Sequence, residues 1–183
     1  MDAHVLVPLK RIDPKSRLAE ALPLEERVRL MRGLLAGVVT AAREAGVERV
    51  TVVTGLPLKG YEVWDDRGLA WNDALAAAMD EVVTTPLVAV ISADLPLIQA
   101  DDVEELLAAT PERGIAIARA LDGGTNAVAM RPPGLVRTHF GEPGSCAVHA
   151  ALGVASVVVD LPGLAFDVDT PADLARMQAT ACL

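Results

Sequence analysis

Short runs of consecutive hydrophobic residues alternate along this chain with segments in which hydrophobic residues recur every three or four positions. The short runs predict strands buried on both faces, as in a parallel sheet, and the periodic segments predict helices that bury one face. The strand pattern occurs at residues 4–9, 49–54, 86–91, 114–119, 126–131 and 156–161. The helical pattern occurs at residues 23–46, 68–82, 100–109, 145–152 and from Pro171 onward.

This alternation predicts an α/β fold, a three-layer α/β/α sandwich with a mainly parallel sheet. In the longest helical segment Val28, Met31 and Leu35 fall on one face, and Gly46 ends the segment. No linker or repeat divides the chain, so we expect a single domain over residues 1–183. In such sheets ligands bind beyond the carboxyl ends of the strands, so the loops that follow strands are the places to expect chemistry.

The composition restricts the partners of the protein. Hydrophobic residues make up 52% of the 183 residues but aromatic residues only 3%, so the core must be built from alanine, valine and leucine. The formal net charge is −9 and no long basic run occurs, which argues against nucleic acid as a partner. Cys146 and Cys182 form no metal-binding motif and suit a reducing compartment. We find neither a secretory leader nor an apolar stretch of about 20 residues, and we expect a cytoplasmic protein without membrane contact.

The loop after the first predicted strand concentrates basic charge in this acidic protein. Lys10, Arg11, Lys15 and Arg17 lie close together there. One interpretation is an ordinary solvated loop. The other is a clamp in which Lys15 and Arg17 neutralise the oxygens of a nucleoside triphosphate. The chain contains neither GxxxxGK[ST] nor GxGxxG, which excludes the usual phosphate-binding loops.

Several segments, taken in order, resemble one known family. They are VPLKRIDPKSRLA near the N-terminus, then GLAWNDALAAA, SADLPLI, DGGTNAVAMRPP, FGEPGSCAVHA and LAFDVDTPADLA. In these segments the chain resembles the 2-phospho-L-lactate and phosphoenolpyruvate guanylyltransferases, which build the deazaflavin coenzyme F-420. Each segment is weak evidence alone, but their shared order over nearly the whole chain makes the resemblance strong.

The resemblance implies a fold, a reaction and a cofactor. The fold is the nucleotidyltransferase version of the α/β/α sandwich, as in nucleotide-diphospho-sugar transferases. The reaction is attack by a phosphate oxygen of the acceptor on the α-phosphorus of GTP, with release of pyrophosphate. Because the nucleophile is already an anion, this chemistry requires alignment and charge neutralisation, for which Mg²⁺ is suited. A downstream partner is also implied, the transferase that passes the product to the deazaflavin precursor.

Asp94 ends a predicted buried strand with a charge. A carboxylate at the carboxyl edge of the sheet is a hard oxygen ligand for Mg²⁺, and Asp167 and Asp169 supply two more at another strand-to-helix junction. The resemblance implies that Asp94 and one of these two bind the metal, and alternation along an extended segment points both the same way. The structural alternatives are a turn cap for Asp94 and a helix cap for Asp169 or Thr170.

The resemblance also assigns residues to the nucleotide. The expected catalytic residues are Lys15, Arg17 and Asp94. The expected nucleotide-binding residues are Pro8, Leu9, Lys10, Lys15, Arg17 and Asn72. An asparagine at a helix start, like Asn72, is otherwise a cap.

The resemblance assigns acceptor binding to Thr125, Gly141, Gly144 and Ser145. In DGGTNA a glycine turn frees backbone amides and then presents the Thr125 hydroxyl, although two adjacent glycines also form ordinary hairpin turns. Ser145 precedes a helical pattern, so it is an N-cap, part of an anion site at a helix N-terminus, or both. His149, one helical turn later, either faces the acceptor or lies satisfied beside the core.

Two other functions stay open on the sequence alone. One is another nucleotidyltransferase of the same fold, of the molybdenum cofactor or sugar-phosphate type, although the glycine-rich first loop usual there is absent. The other is a non-catalytic nucleotide-binding protein, which would not need aspartates at two strand ends together with a basic loop. The acceptor is also undecided among 2-phospho-L-lactate, phosphoenolpyruvate and 3-phosphoglycerate, because these differ by a few atoms.

Overall fold

The computed structural model describes residues 2–9 and 15–180, which form a seven-stranded sheet flanked by helices. The strands are β1 (Ala3–Pro8), β2 (Arg49–Val53), β3 (Glu62–Trp64), β4 (Leu87–Ile91), β5 (Gly114–Arg119), β6 (Thr125–Arg131) and β7 (Ala155–Val159). The helices are α1 (Leu24–Glu44), α2 (Trp71–Val82), α3 (Ala100–Ala108), α4 (Ser145–Ala150), α5 (Pro162–Ala165) and α6 (Pro171–Thr180), with a 3-10 turn at Ser16–Leu18. Each strand and helix predicted from the sequence is present.

The strands lie in the order β3-β2-β1-β4-β6-β5-β7. Neighbouring strands are parallel except at β6, which is antiparallel to both β4 and β5. The predicted mainly parallel sheet is therefore confirmed, with one reversed strand. Because β6 runs backwards, its first residues lie at the edge where its neighbours end. The beginning of β6 thus reaches the edge at which ligands bind in such sheets.

Helices cover both faces of the sheet, which confirms the three-layer sandwich. On one face, α1, α3 and α5 bury residues such as Leu35, Leu106 and Leu164 against the strands. On the other face, α2 and α4 contribute residues such as Leu75 and Cys146. The small side chains expected from the composition allow the helices to pack closely on the sheet. Within the described residues, no helix has the length and apolar character that crossing a bilayer requires.

Two short elements were not predicted from the sequence. Strand β3 has only three residues and only Trp64 of these is buried, so its hydrophobic pattern is too short to recognise. Helix α5 has four residues and includes Gly163, whose backbone N–H donates to the Asp102 carboxylate of α3. A Cβ at Gly163 would collide with that carboxylate, so a larger residue there would displace the Asp102 side chain.

A β-bulge interrupts the pairing at the beginning of β6. Pairing between β5 and β6 is regular as far as Ala118 and Ala127. The next pair is Arg119 with Thr125, so Asn126 is an extra residue on its strand. Such a bulge changes the face of the sheet toward which the neighbouring side chains point.

The bulge determines which helical layer Thr125 and Asn126 meet. Ala127 packs in the layer of α1, α3 and α5, so regular alternation would send Thr125 to that same layer. Instead, the Thr125 hydroxyl contacts His149 of α4, and the Asn126 amide donates to the carbonyl of Leu164 in α5. The two adjacent side chains therefore serve opposite faces of the sheet at its ligand-binding edge.

Candidate active site

A cleft of about 540 Å³ lies at the edge of the sheet where the parallel strands end. The predicted site residues that line it are Pro8, Leu9, Lys15, Arg17, Asp94, Thr125, Gly141, Gly144, Ser145, Asp167 and Asp169. Of the other two, Asn72 is not among the lining residues, and Lys10 lies outside the described residues. The residues that the sequence assigned to the metal, the nucleotide and the acceptor thus share one cleft.

Three carboxylates form an acidic cluster in this cleft. Asp94 follows β4, and Asp167 and Asp169 lie between α5 and α6. One oxygen from each of the three lies within 4.8 Å of the others. The backbone N–H of Val168 donates to the carbonyl of Asp94 at 3.2 Å, which ties the two segments together. Since Val168 is buried, both of its neighbours turn to the cleft, so the geometry allows both Asp167 and Asp169 to reach one ion together with Asp94.

Lys15 lies between two of the carboxylates. Its Nζ donates to Asp94 Oδ2 at 2.5 Å and to Asp169 Oδ1 at 2.9 Å, and its side chain is only 9% exposed. Burial by itself would lower the pKa of Lys15, but the charges of Asp94 and Asp169 outweigh it and raise the pKa. Lys15 therefore carries a full positive charge inside the cleft. For this residue the interpretation as a solvated loop is wrong.

Arg17 has a different environment from Lys15. Its guanidinium lies 3.4 Å from Asp169 Oδ2, but its side chain is 72% exposed. An exposed pair at this distance adds little stability. Arg17 therefore lies at the mouth of the cleft, with its charge available to a ligand that enters.

The surroundings of Asp167 disfavour its charged form. Burial raises its pKa to about 6, with a further contribution from the charge of Asp94, while the Asn126 amide, donating at 3.2 Å, acts in the opposite direction. Lys15 bonds to the other two carboxylates, and among residues 2–9 and 15–180 no cation pairs with Asp167. The cluster therefore has negative charge in excess among the described residues.

The acidic cluster fits a divalent cation. Its donors are carboxylate oxygens, which Mg²⁺ and similar hard cations prefer, and they converge closely enough to share one ion. A divalent ion would also neutralise the excess charge at Asp167. Asp94, Asp167 and Asp169 are thus the residues that would hold it.

The helix cap at the start of α6 is made by Thr170, one of the two residues considered for it, together with Asp173. The Asp173 carboxylate accepts from the backbone N–H of Asp169 and of Thr170, and the Thr170 hydroxyl accepts from the N–H of Asp173. This reciprocal pair fills the capping role considered for Asp169. The Asp169 carboxylate bonds to Lys15 instead, and the Asp94 carboxylate also bonds to Lys15 rather than serving as a turn cap.

The half of the cleft expected to bind the acceptor combines two hydroxyls with two glycine turns. Ser145 Oγ lies 3.1 Å from Thr125 Oγ1, and both residues line the cleft. Gly141 and Gly144 have φ of 78° and 66°, a region that favours glycine. Gly144, not Ser145, occupies the N-cap position of α4, so the interpretation of Ser145 as an N-cap is wrong. The hairpin alternative holds for the backbone before Thr125, since the Ala120 N–H donates to Gly124 across the turn between β5 and β6.

Asn72 bonds to the segment that precedes Gly141. Its Oδ1 accepts from the Thr138 hydroxyl at 2.9 Å and from the Phe140 N–H at 3.0 Å, and its Nδ2 donates to the Phe140 carbonyl at 3.2 Å. These bonds hold the segment that leads into Gly141. The neighbouring residue, Trp71, lines the cleft in place of Asn72.

Asn126 is the site residue that the sequence analysis missed. Its amide bonds to Asp167, and its backbone carbonyl accepts from the Ser92 N–H next to the end of β4. The signal available was a lone amide within an otherwise apolar strand segment. The direction of its side chain depends on the bulge, which no hydrophobic pattern reveals.

Comparison with known proteins was consistent with this geometry. Residues 3–179 match the model of the family described as "Guanylyl transferase CofC like". The chain belongs to this family. It is 38% identical over 197 residues to the phosphoenolpyruvate guanylyltransferase of Sphaerobacter thermophilus, and the alignment covers 99% of this chain and 95% of that protein. It is 36% identical over 181 residues to the 2-phospho-L-lactate guanylyltransferase of Haloarcula marismortui, covering 95% and 84%.

Solved structures show the same fold at lower sequence identity. A putative nucleotide-diphospho-sugar transferase from Desulfovibrio desulfuricans superposes with a TM-score of 0.76 at 17% identity, covering 98% of this chain and 87% of that one. A Mycobacterium tuberculosis protein crystallised as a complex with manganese gives a TM-score of 0.60 at 20% identity, covering 96% of both chains. The predicted family, its enzyme class and the nucleotidyltransferase fold are thereby confirmed.

Proposed function

We propose that this protein transfers the guanylyl group of GTP to the phosphate of a small phosphorylated three-carbon acid and releases pyrophosphate, as a step in the synthesis of coenzyme F-420. The observation that carries the proposal is the arrangement of the cleft. An acidic cluster with an embedded lysine lies beside a second half that offers hydroxyls and glycine turns and in which no described cation lines the cleft. The first half suits a metal-bound triphosphate, and the second suits a small anion.

The reaction exchanges one phosphorus–oxygen bond for another. A phosphate oxygen of the acceptor forms a bond to the α-phosphorus of GTP, and the bond to the departing pyrophosphate breaks. The attacking oxygen is already an anion, so the enzyme does not need to remove a proton. The protein has to align the two substrates and offset the concentration of negative charge.

Each half of the cleft has residues suited to that task. Lys15 and Arg17 supply positive charge to the phosphate oxygens of the nucleotide. Asp94, Asp167 and Asp169 would hold Mg²⁺, which when bound neutralises charge on the phosphates and orients them. Thr125 and Ser145 offer hydroxyls to the acceptor.

The acceptor half offers neutral donors because the described cations of the cleft lie elsewhere. The described cations of the cleft, Lys15 and Arg17, both point to the acidic cluster. An acceptor with a phosphate and a carboxylate must therefore be held mainly by neutral donors. Hydroxyls and turn amides at Gly141 and Gly144 provide such donors without bringing in further charge.

The test is a matrix of nucleotides and acceptors. Purified protein is incubated with Mg²⁺ and each of GTP, ATP, CTP and UTP, together with phosphoenolpyruvate, 2-phospho-L-lactate or 3-phosphoglycerate. We expect pyrophosphate release only with GTP, and only when an acceptor is present. The acceptor that gives the highest kcat/KM identifies the substrate. Release with a different nucleotide would favour another nucleotidyltransferase of this fold, and binding without any release would indicate a non-catalytic protein.

A further inference from the structure

His149 lies behind the acceptor half of the cleft. It is fully buried in α4, with Thr125 and Ser145 between its ring and the cleft. It therefore lies beside the core and does not face the acceptor. Both of its ring nitrogens have polar partners, Thr125 on one side and the backbone of His139 on the other.

The partner at Nε2 determines where the ring proton is. The backbone N–H of His139 lies 2.9 Å from Nε2, and a backbone N–H can only donate, so Nε2 is a bare acceptor. Burial, with a smaller contribution from His139, lowers the pKa of His149 to about 4, so the ring is neutral near pH 7. A neutral ring with a bare Nε2 carries its proton on Nδ1. The backbone carbonyl of Ser145, which can only accept, also interacts with the ring.

This tautomer sets the direction of the hydroxyl bonds. The Nδ1–H donates to Thr125 Oγ1 at 3.0 Å, and the Ser145 hydroxyl donates to the same oxygen at 3.1 Å. Both lone pairs of Thr125 are then occupied, so its own proton is left for the cleft. If the bond between the hydroxyls runs the other way, the Ser145 proton is left instead. In either case the pair keeps one donor for a ligand.

The opposite tautomer would remove that donor. With a bare Nδ1, Thr125 would have to donate to the ring, and with Ser145 donating to Thr125 as in this structure, neither hydroxyl proton would face the cleft. An anionic oxygen accepts hydrogen bonds and cannot donate them, so it requires the first arrangement.

We propose that His149 is a positioning residue for the acceptor: by donating from Nδ1 to Thr125, it keeps the Thr125–Ser145 pair as a hydrogen-bond donor to an anionic oxygen of the phosphorylated acid. This role rests on the proposed function and names how the site recognises its second substrate. His149 does not touch the substrate and acts through Thr125.

Two substitutions separate this role from simple structural support. In His149→Asn the side-chain amide reaches the position of Nδ1, so it retains a donor for Thr125 and loses the contact with His139. In His149→Gln the longer side chain reaches the position of Nε2, so it retains the contact with His139 and loses the donor. We expect KM for the acceptor to rise less than about threefold in His149→Asn and at least about tenfold in His149→Gln, with KM for GTP unchanged in both.

The results that overturn the proposal are distinct from those that overturn the function. If the wild type is active and His149→Gln uses the acceptor as well as, or better than, His149→Asn, then His149 only supports the loop. A wild type that releases no pyrophosphate with any acceptor would overturn the proposed function and this role with it.

A measurement on the wild type does not depend on how the variants fold. Nitrogen NMR of the protein with ¹⁵N-labelled histidine distinguishes a protonated from a bare ring nitrogen. We expect His149 to be neutral near pH 7, with the proton on Nδ1. A proton on Nε2 would overturn the proposal.

Discussion

Lys15 Nζ donates a hydrogen bond of 2.5 Å to Asp94 Oδ2, which joins the first loop of the chain to the end of β4. The same ammonium group bonds to Asp169. A cation of the protein thus shares two carboxylates with the expected metal ion. Lys15 and the metal should therefore compete for the cluster until phosphate oxygens offer Lys15 another partner.

Replacing Lys15 with methionine should affect the metal and the nucleotide in opposite directions. Without the ammonium charge, the carboxylates should bind Mg²⁺ roughly tenfold or more tightly in the absence of nucleotide. KM for GTP should rise by a similar factor, because a charged hydrogen bond to phosphate is lost. Calorimetry and steady-state kinetics measure the two effects. The control is Arg49→Met: Arg49, at the start of β2, bonds to Thr84 instead. This variant should change neither Mg²⁺ affinity nor KM for GTP. Weaker Mg²⁺ binding in Lys15→Met would contradict the competition.

Asp94→Asn should abolish turnover and leave the fold intact. The substitution removes a charged metal ligand that the transition state requires, and we expect a loss of hundreds-fold or more in kcat. Circular dichroism and the melting temperature check the fold. Near-normal turnover at saturating Mg²⁺ would show that Asp94 is not a metal ligand.

Asp167→Asn should stabilise the protein in the presence of a chelator while removing activity. The buried carboxylate is disfavoured by burial and by Asp94, whereas an amide oxygen can still accept from Asn126 without carrying charge. We expect the free energy of unfolding at pH 7 to rise by about 1 to 2 kcal/mol, after allowing for partial exposure. Added Mg²⁺ should raise the melting temperature of the wild type only. A variant less stable than the wild type under chelation would argue against excess charge at Asp167.

Thr125→Val should weaken use of the acceptor and spare the nucleotide. The change preserves shape and removes the hydroxyl, which we expect to contribute about 1.5–3 kcal/mol to an anionic oxygen, or roughly ten- to hundred-fold in kcat/KM for the acceptor. Thr125→Ser retains the hydroxyl and serves as the control. Since Ser145 is not the N-cap of α4, Ser145→Ala gives a second test without the loss of a cap. A crystal structure with the acceptor beyond hydrogen-bond distance of both hydroxyls would rule out this assignment.

His149 should make the protein less stable in acid. Its pKa is lowered from 6.5 to about 4 in the folded protein, so between these values the unfolded chain binds more protons. The stability linked to His149 is complete above pH 6.5 and is lost as the pH falls toward 4. Urea unfolding of the wild type and of His149→Asn at pH 7 and pH 4 separates the contribution of His149 to stability from that of the carboxylates. Equal losses in the two proteins would contradict a neutral, buried His149.

The sequence predicted the parts of this fold that depend on local pattern. The apolar run at residues 87–91 is buried on both faces, and the Asp94 carboxylate that follows this strand lies in the cleft as expected. Strand direction does not appear in a hydrophobic pattern, so the reversal of β6 could not be read from it. The same limit applies to the contact of Lys15 with Asp94, which joins residues far apart in the chain. Such contacts depend on tertiary packing rather than on local sequence.

The β-bulge in β6 gives Asn126 an importance that exceeds its own hydrogen bonds. If Asn126 were paired regularly, alternation would turn the Thr125 hydroxyl away from α4, toward the layer of α1, α3 and α5. The hydroxyl proposed for the acceptor and the amide that bonds to Asp167 thus belong to adjacent residues of a single strand. Their spacing is inherited with that strand and not with the loops. The loops around Gly141 and Gly144 lie outside that strand, so they can vary without changing the spacing of Thr125 and Asn126.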